Sequence, residues 1–343
     1  MKVSIIGATG YSGLELIRLL QSHSKVTIQS LHSYSNYSEN IAYLYPHLKD
    51  VCELSLESVD IKKICQTSQI VFFATPSGVS KDQAAAFIKA GLIVVDLSGD
   101  LRLENHTSYK KWYNFDGASQ ELLTQAVYGL AEWNDVTNQK LIANPGCYAT
   151  ATLLALAPLL IEDILHLDSI VVDAKSGVSG AGKTPNPSSM YTETNDNLTL
   201  YKVNQHQHIP EIMQQLKKWN PSIENIQFST TLIPVTRGIL ATIYGKLKST
   251  LTTEEVVDLF QKAYQDKPFV RIQEVGNLPT IKQVVGSNYC DIGISVNPVT
   301  NQVLVVATID NLIKGAAGQA IQNMNQAAGF PLNTGLQFSP LYP

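Results

Sequence analysis

The sequence is short of several things, and each shortage closes a class of reading. Four cysteines occur in 343 residues (Cys52, Cys65, Cys147 and Cys290), with no CxxC among them. That argues against a disulfide scaffold and fits a reducing compartment. No apolar run reaches the ~18 residues that a membrane-spanning helix needs. Positive charge is not in excess: the net charge is −4, with no basic run or tail to offer nucleic acid. There is no internal repeat and no low-complexity segment. No signal-peptide pattern precedes the strand-like Lys2–Ile6, so a cytoplasmic protein is the expectation. What remains is 44% hydrophobic and 16% charged, the make-up of a soluble globular chain. Its length exceeds one ordinary core and suits two domains.

The stretch that organises the chain is residues 142–158, Ile-Ala-Asn-Pro-Gly-Cys-Tyr-Ala-Thr-Ala-Thr-Leu-Leu-Ala-Leu-Ala-Pro. It reads as the end of a strand, a tight turn at Asn144-Pro145-Gly146, then a helix over 148–157 that Pro158 stops. Cys147 therefore sits at a helix N-terminus, where unpaired N–H groups and the macrodipole favour an anion. A thiolate is an anion, so the position suits a nucleophile. The alternative is a small buried residue packed under a helix.

The chain opens on Lys2–Ile6, the turn Gly7-Ala-Thr9-Gly10-Tyr11-Ser12-Gly13, and helical periodicity over 14–23. Strand, glycine turn and helix form the first unit of a dinucleotide-binding domain, spaced here as GxxGxxG. Glycines let the backbone approach a pyrophosphate, which the helix N-terminus then holds. The second strand, 26–31, ends in His32-Ser33-Tyr34-Ser35-Asn36, with no acid before Glu39 to grip a ribose 2′-OH. That favours NADP over NAD. No Lys or Arg lies between Lys25 and Lys49, so a 2′-phosphate falls to Ser33, Ser35, backbone N–H groups or a basic residue from elsewhere. The strand 69–74 runs into Thr75-Pro76, where cofactor loops lie. The strand 92–97 is continuously apolar, as in a parallel sheet covered on both faces. The segment 103–125 reads as irregular and polar.

Beyond Pro158 the pattern changes. Residues 177–184 match GxxxxGK[ST], but Thr184-Pro185-Asn186-Pro187 cannot begin the helix a phosphate loop requires. A glycine-rich loop with an available Lys183, lining an anionic substrate pocket, is the better reading. His206, His208 and Glu211 precede a helix over 212–219 with Pro210 at its start. They offer three readings: a metal site, an oriented His–Glu acid/base pair beside a thiolate, or exposed polar groups. Two β-rich runs, 226–234 and 239–247, look like hairpin neighbours in a mixed second sheet. The small-residue helix opening at 310–318 is expected to return to the first domain.

Together these residues resemble the N-acetyl-γ-glutamyl-phosphate reductase family, within the aspartate-semialdehyde dehydrogenase superfamily. The resemblance runs nearly end to end. Its specific stretches are Asn-Pro-Gly-Cys-Tyr-Ala-Thr (144–150) and His-x-His-x-Pro-Glu (206–211), supported by 7–13, 96–102, 128–132, 176–183, 234–238 and 310–318. The resemblance implies Cys147 as nucleophile, His208 as acid/base and Glu211 as the carboxylate that orients it. It implies His206 and Tyr201 near the substrate, and Arg102, Lys183 and Arg237 as cations for phosphate. It implies NADP(H) contacts at Gly7, Thr9, Gly10, Tyr11, Ser12, Gly13, Pro76, Ser176, Gly177, Asn311 and Lys314, beside Ser33 and Ser35. No metal is called for. The implied fold is a Rossmann-type dinucleotide domain (1–147 and 311–343) plus an α+β catalytic and dimerisation domain (148–310) with a mixed, largely antiparallel sheet. A homodimer or homotetramer is expected. Three departures stand out: Gln207 where the family usually has Arg, Tyr34 and Ser35 where it has an Arg, and Ala131 for a proline. The rival readings are an aspartate-semialdehyde dehydrogenase, a cysteine acyltransferase or hydrolase, and a cofactor-binding regulator without turnover.

Overall fold

The computed structural model describes residues 1–35 and 37–342. Asn36, in the expected 2′-phosphate loop, and Pro343, the last residue of the expected first-domain segment, lie outside them. The chain divides into two compact units. The first takes Met1–Pro145 and Ala316–Gln337; the second takes Gly146–Gly315 and the tail from Phe338 onward. Cys147 thus falls in the second unit.

The first unit is built on a seven-stranded sheet. Its strands are β1 (Lys2–Ile6), β2 (Thr27–His32), β3 (Leu56–Glu57), β4 (Ile70–Phe73), β5 (Ile93–Asp96), β6 (Val127–Tyr128) and β7 (Leu141–Ala143), in the order β3-β2-β1-β4-β5-β7-β6. Every pairing is parallel. β4 and β5 are buried at every position, which is what coverage on both faces requires. The order reverses between β1 and β4, the switch point where such sheets take ligands. The segment 103–125 is not irregular: it holds two short helices, Ser108–Tyr113 and Gln120–Gln125. Tyr109, Leu122 and Leu123 bury there, with Trp112, Tyr113 and Phe115 packed against them. Their spacing over two short turns escapes a periodicity reading.

The second unit carries a mixed sheet. Its strands are β8 (Val171–Gly177), β9 (Thr199–Tyr201), β10 (Gln227–Ile233), β11 (Ile239–Lys246), β12 (Val270–Ile272), β13 (Cys290–Asn297) and β14 (Gln302–Ile309), in the order β12-β13-β14-β11-β8-β10-β9. Four pairings are antiparallel and two parallel. β10 and β11 are not hairpin partners, because β8 lies between them. The true hairpin is β13–β14. β8 and β11 alternate buried and part-exposed residues, so one face of this sheet meets the core and the other stays open.

The core face receives the helix Cys147–Ile161, buried at every residue from Tyr148 to Leu160. It is apolar all round because it is enclosed all round. Pro158 does not end it. A proline cannot donate to the carbonyl four residues back. That carbonyl, on Leu154, accepts instead from the Tyr264 hydroxyl at 2.5 Å. At 15 residues this helix is too short to span a bilayer, and no helix among the described residues is long and apolar enough to do so.

Candidate active site

Cys147 is the first residue of its helix and is half-buried. The residue before it, Gly146, has φ −73° and ψ 154°, angles open to any residue. Its glycine identity is a matter of space. A Cβ there would stand 2.2 Å from His208 Nε2 and 2.5 Å from Cε1. The imidazole therefore lies against the backbone next to the cysteine. Glu211 Oε1 accepts the Gly146 N–H at 2.7 Å, and Glu211 is fully buried. A carboxylate on a helix-start N–H is a charge-assisted bond.

His208 opens the helix His208–Trp219, two turns of whose inner face carry His208, Glu211, Ile212, Gln215 and Leu216. Pro210 is its third residue rather than its first, still in the first turn where a missing N–H is tolerated. His206 is buried, and its Nδ1 accepts the His208 N–H at 3.1 Å. The two imidazoles meet at 4.6 Å between centroids.

Tyr148 is a residue the sequence reading did not single out. Its ring stands edge-on to His206 at 5.3 Å and to His208 at 6.1 Å. The Tyr201 hydroxyl donates to the Tyr148 hydroxyl at 3.0 Å. Burial pushes both phenols up, Tyr201 to about 12 and Tyr148 further, so both stay neutral donors. A clue was available: Tyr148 shares the first helical turn with the cysteine.

The chain around Ile309 closes the other side. Ile313–Ala317 forms a single π turn, with the Gly315 N–H donating to the Asp310 carbonyl at 2.9 Å. Such turns recur at functional sites. A Cβ on Gly315 would stand 2.7 Å from Cys147 Cβ, so this glycine is packed on the cysteine. Asp310 is fully buried and ion-pairs with Arg237 at 3.1 Å. Asn311 accepts the Gly238 N–H at 2.7 Å and donates to Ser179 Oγ at 2.9 Å. Lys314 is fully buried, with its ammonium 5.8 Å from the Phe269 ring centre. Ser176 is buried on β8 and donates to the Gly177 carbonyl at 3.0 Å. Gly177 packs against the 235–237 backbone. Lys183 is exposed. The second unit thus brings together Cys147, Tyr148, Tyr201, His206, His208 and Glu211. Asn311 and Arg237 tie the loop after β14 to the loops after β8 and β10.

In the first unit, Gly7 has φ +88°, and a Cβ there would lie 2.4 Å from the Ala74 carbonyl oxygen. A Cβ on Gly13 would lie 2.3 Å from the Gly7 oxygen. Both are required by the fold itself. Gly10 is different: its Cβ would meet nothing nearer than 3.6 Å. Gly10 caps the helix Tyr11–Leu20 without any side-chain hydrogen bond, and no acid occupies its first turn. That leaves helix-start N–H groups for an anion. Thr9 accepts the Tyr45 hydroxyl at 2.6 Å through its carbonyl. Tyr11 is exposed and Ser12 half-buried. Thr75 Oγ1, beside the exposed Pro76, is buried with no hydrogen-bond partner among the described residues. Uncapped helix start, unforced glycine and unmatched hydroxyl all fit a bound dinucleotide. Ser33 is buried, with Oγ accepting the Ser35 N–H at 3.3 Å.

Arg102 is buried, and it donates from Nε to the Asn144 carbonyl at 2.8 Å and from Nη2 to the Leu97 carbonyl at 2.9 Å. It braces the strand end that leads to Pro145. Beside it, burial and the neighbouring Asp100 raise the Asp96 carboxyl to about 6. Asp100 itself caps the helix Ser80–Lys89, accepting N–H groups from Gly78 at 2.7 Å and Lys81 at 3.1 Å.

Comparison with known proteins first defines the class. Residues 2–141 match the family model described as semialdehyde dehydrogenase, NAD binding domain, and residues 147–311 match semialdehyde dehydrogenase, dimerisation domain. Solved structures agree in fold. Aspartate semialdehyde dehydrogenase II of Vibrio cholerae superposes with TM-score 0.68 at 18% identity, over 95% of this chain and 97% of that one. The Candida albicans aspartate semialdehyde dehydrogenase with NADP gives 0.66 at 17% identity, over 96% and 99%. At the sequence level the match is much tighter. The N-acetyl-γ-glutamyl-phosphate reductases of Listeria welshimeri and Streptococcus gordonii are 58% and 54% identical, each over the whole of both chains. The chain belongs to the N-acetyl-γ-glutamyl-phosphate reductase family.

Proposed function

We propose that Cys147, His208 and Glu211 carry out, in this chain, the reduction of N-acetyl-L-glutamyl 5-phosphate to N-acetyl-L-glutamate 5-semialdehyde and phosphate, a step of arginine biosynthesis. The observation that supports this most is the His208 imidazole lying against Gly146, one residue from a cysteine at a helix start.

An acyl phosphate is a poor acceptor of hydride and a thioester a good one, so the chemistry calls for a thiol first. The Cys147 thiolate attacks the acyl carbon, the carbon–oxygen bond to phosphate breaks, and inorganic phosphate leaves. Bound NADPH supplies the hydride and the two electrons that take the resulting thioester to the aldehyde level. His208 gives a proton to the oxygen of the reduced adduct and takes it back as the carbon–sulfur bond breaks, freeing the aldehyde and the thiolate. Glu211 fixes the Gly146 N–H, and with it the entry to the nucleophile's helix. Tyr201 and His206 border the substrate; the candidate cations for phosphate are Lys183, Arg237, which is paired with Asp310, and Arg102 of the first unit, which is bonded to two backbone carbonyls.

The first unit holds NADP(H), with Gly7, Thr9, Gly10, Tyr11, Ser12 and Gly13 at the diphosphate, Pro76 beside it, and Ser33 and Ser35 toward the 2′-phosphate. Ser176, Gly177, Asn311 and Lys314, carried by the second unit, are the further NADP(H) contacts of this reading. The protein works in the cytoplasm as a homo-oligomer. A second copy covers the open face of the mixed sheet, where Val171, Tyr244 and Leu304 stand side by side across β8, β11 and β14.

The test is covalent capture. Protein mixed with the acyl phosphate in the absence of reductant should gain the acyl mass on Cys147, and Cys147→Ala should gain none. An adduct that never appears on residue 147 removes the mechanism.

A further inference from the structure

We infer that Tyr34 is the surface on which the adenine ring of the dinucleotide stacks, and that Gln83 holds that surface in position. The inference rests on the first unit being the NADP(H) domain. In its sheet, β2 and β4 flank β1, so the crevice above the carboxyl end of β1 has the loop after β2 on one side and the loop after β4 on the other. The Gly7 and Ala8 N–H groups both donate to the His32 carbonyl, at 3.0 and 3.1 Å, which fastens the glycine turn to the end of β2.

Just past that point the side chains are Ser33, buried and turned to Ser35, then Tyr34, 52% exposed. The acid that ordinarily grips an adenosine ribose is absent, and no Lys or Arg lies between Lys25 and Lys49. Tyr34 is therefore a large exposed side chain directly after β2; Tyr37, three residues on, is exposed as well, and what sets Tyr34 apart is its bond across the crevice. Its hydroxyl accepts from Gln83 Nε2 at 2.7 Å. Gln83 lies on the helix Ser80–Lys89, which follows the loop after β4. One hydrogen bond thus runs from the β2 side of the crevice to the β4 side.

Gln83 makes that bond while its other amide atom, Oε1, is buried without a partner among the described residues. An unmatched buried acceptor is an expense that a plain loop contact does not require. It is understandable if the fixed orientation of the Tyr34 ring is what is being held. Aromatic rings bind bases by stacking without reading their edges, which suits a strand end stripped of charge.

The experiment is calorimetric titration of the full-length protein with NADPH, NADH and ADP-ribose. Tyr34→Ala should weaken all three by about tenfold, equally, because they share the adenine. Tyr34→Phe, which keeps the ring and loses the bond to Gln83, should weaken binding by about two- to threefold, and Gln83→Ala should match it; no loss in either removes the positioning role of Gln83. Thermal melting checks that each variant is folded. Tyr34→Ala binding NADPH as tightly as the wild type overturns the stacking role. So does Tyr34→Phe losing as much as Tyr34→Ala, which would make the pair a brace between loops. Wild-type protein giving no heat with any dinucleotide overturns the domain reading itself, and this inference with it.

Discussion

Replacing Gly146 by alanine isolates the contact on which the proposed chemistry depends. The backbone accepts the change, since φ −73° and ψ 154° are ordinary for alanine. The obstacle is the imidazole. The new methyl would stand 2.2 Å from His208 Nε2, whereas ordinary contact begins near 3.4 Å, so the ring must retreat by about 1.2 Å. The His208 backbone N–H is tied to His206 Nδ1 and its helix is buried on that face, so the retreat is taken by the side chain. A misplacement of about 1 Å costs roughly a hundredfold in rate, or about 2.7 kcal/mol of barrier. Folding suffers by a comparable amount, about 1–3 kcal/mol for one overpacked methyl. The assay is the phosphate-dependent oxidation of the semialdehyde, followed by nicotinamide absorbance. Thiol alkylation at the same pH shows whether Cys147 still reacts. The expected result is a loss of about a hundredfold in kcat with an alkylatable thiol and a cooperative melt. A kcat within about threefold of the wild type would refute the claim that His208 works from beside Gly146.

Gly10→Ala tests the opposite kind of glycine. The fold has room for that methyl at 3.6 Å and the angles suit it, so stability should hold or rise slightly while NADPH affinity drops. An unchanged calorimetric Kd would mean that no ligand approaches this residue. Asp96→Asn tests the buried carboxyl. With its value raised to about 6, the folded protein keeps this proton to higher pH than the unfolded chain, so stability from this group falls as pH rises from the ordinary aspartate value toward about 6 and is level above. The variant should melt higher than the wild type near neutrality and converge with it in acid; parallel melting curves at every pH would clear Asp96 of that role. Tyr244→Glu places a charge in the row formed with Val171 and Leu304, and should shift the mass measured by light scattering toward the monomer. An unchanged mass would put the interface elsewhere.

Some of this protein is written in short stretches, because the physics there is local. A strand, a glycine turn and a helix follow one another in residues 2–20, and Gly13 answers to a contact inside that turn, whereas Gly7 also meets the Ala74 backbone beyond β4. Cys147 at the head of an apolar helix is equally local, since a tight turn and a run of helix formers determine it together. The alternation along β8 and β11 announces a sheet with one open face. Other features come from partners far along the chain. Pro158 stays inside its helix only because Tyr264 supplies a hydroxyl to the carbonyl it releases. β8 separates two strands that follow each other in sequence, which no periodicity records. Gly146 looks like a turn residue, and its true reason is an imidazole from a later helix. Lys314 is a lysine in a small-residue stretch, and only the packing of the π turn that carries it makes it fully buried. Local backbone preference therefore chose the elements and placed the thiol. Close packing between distant segments, which a linear string does not encode residue by residue, decided what surrounds it.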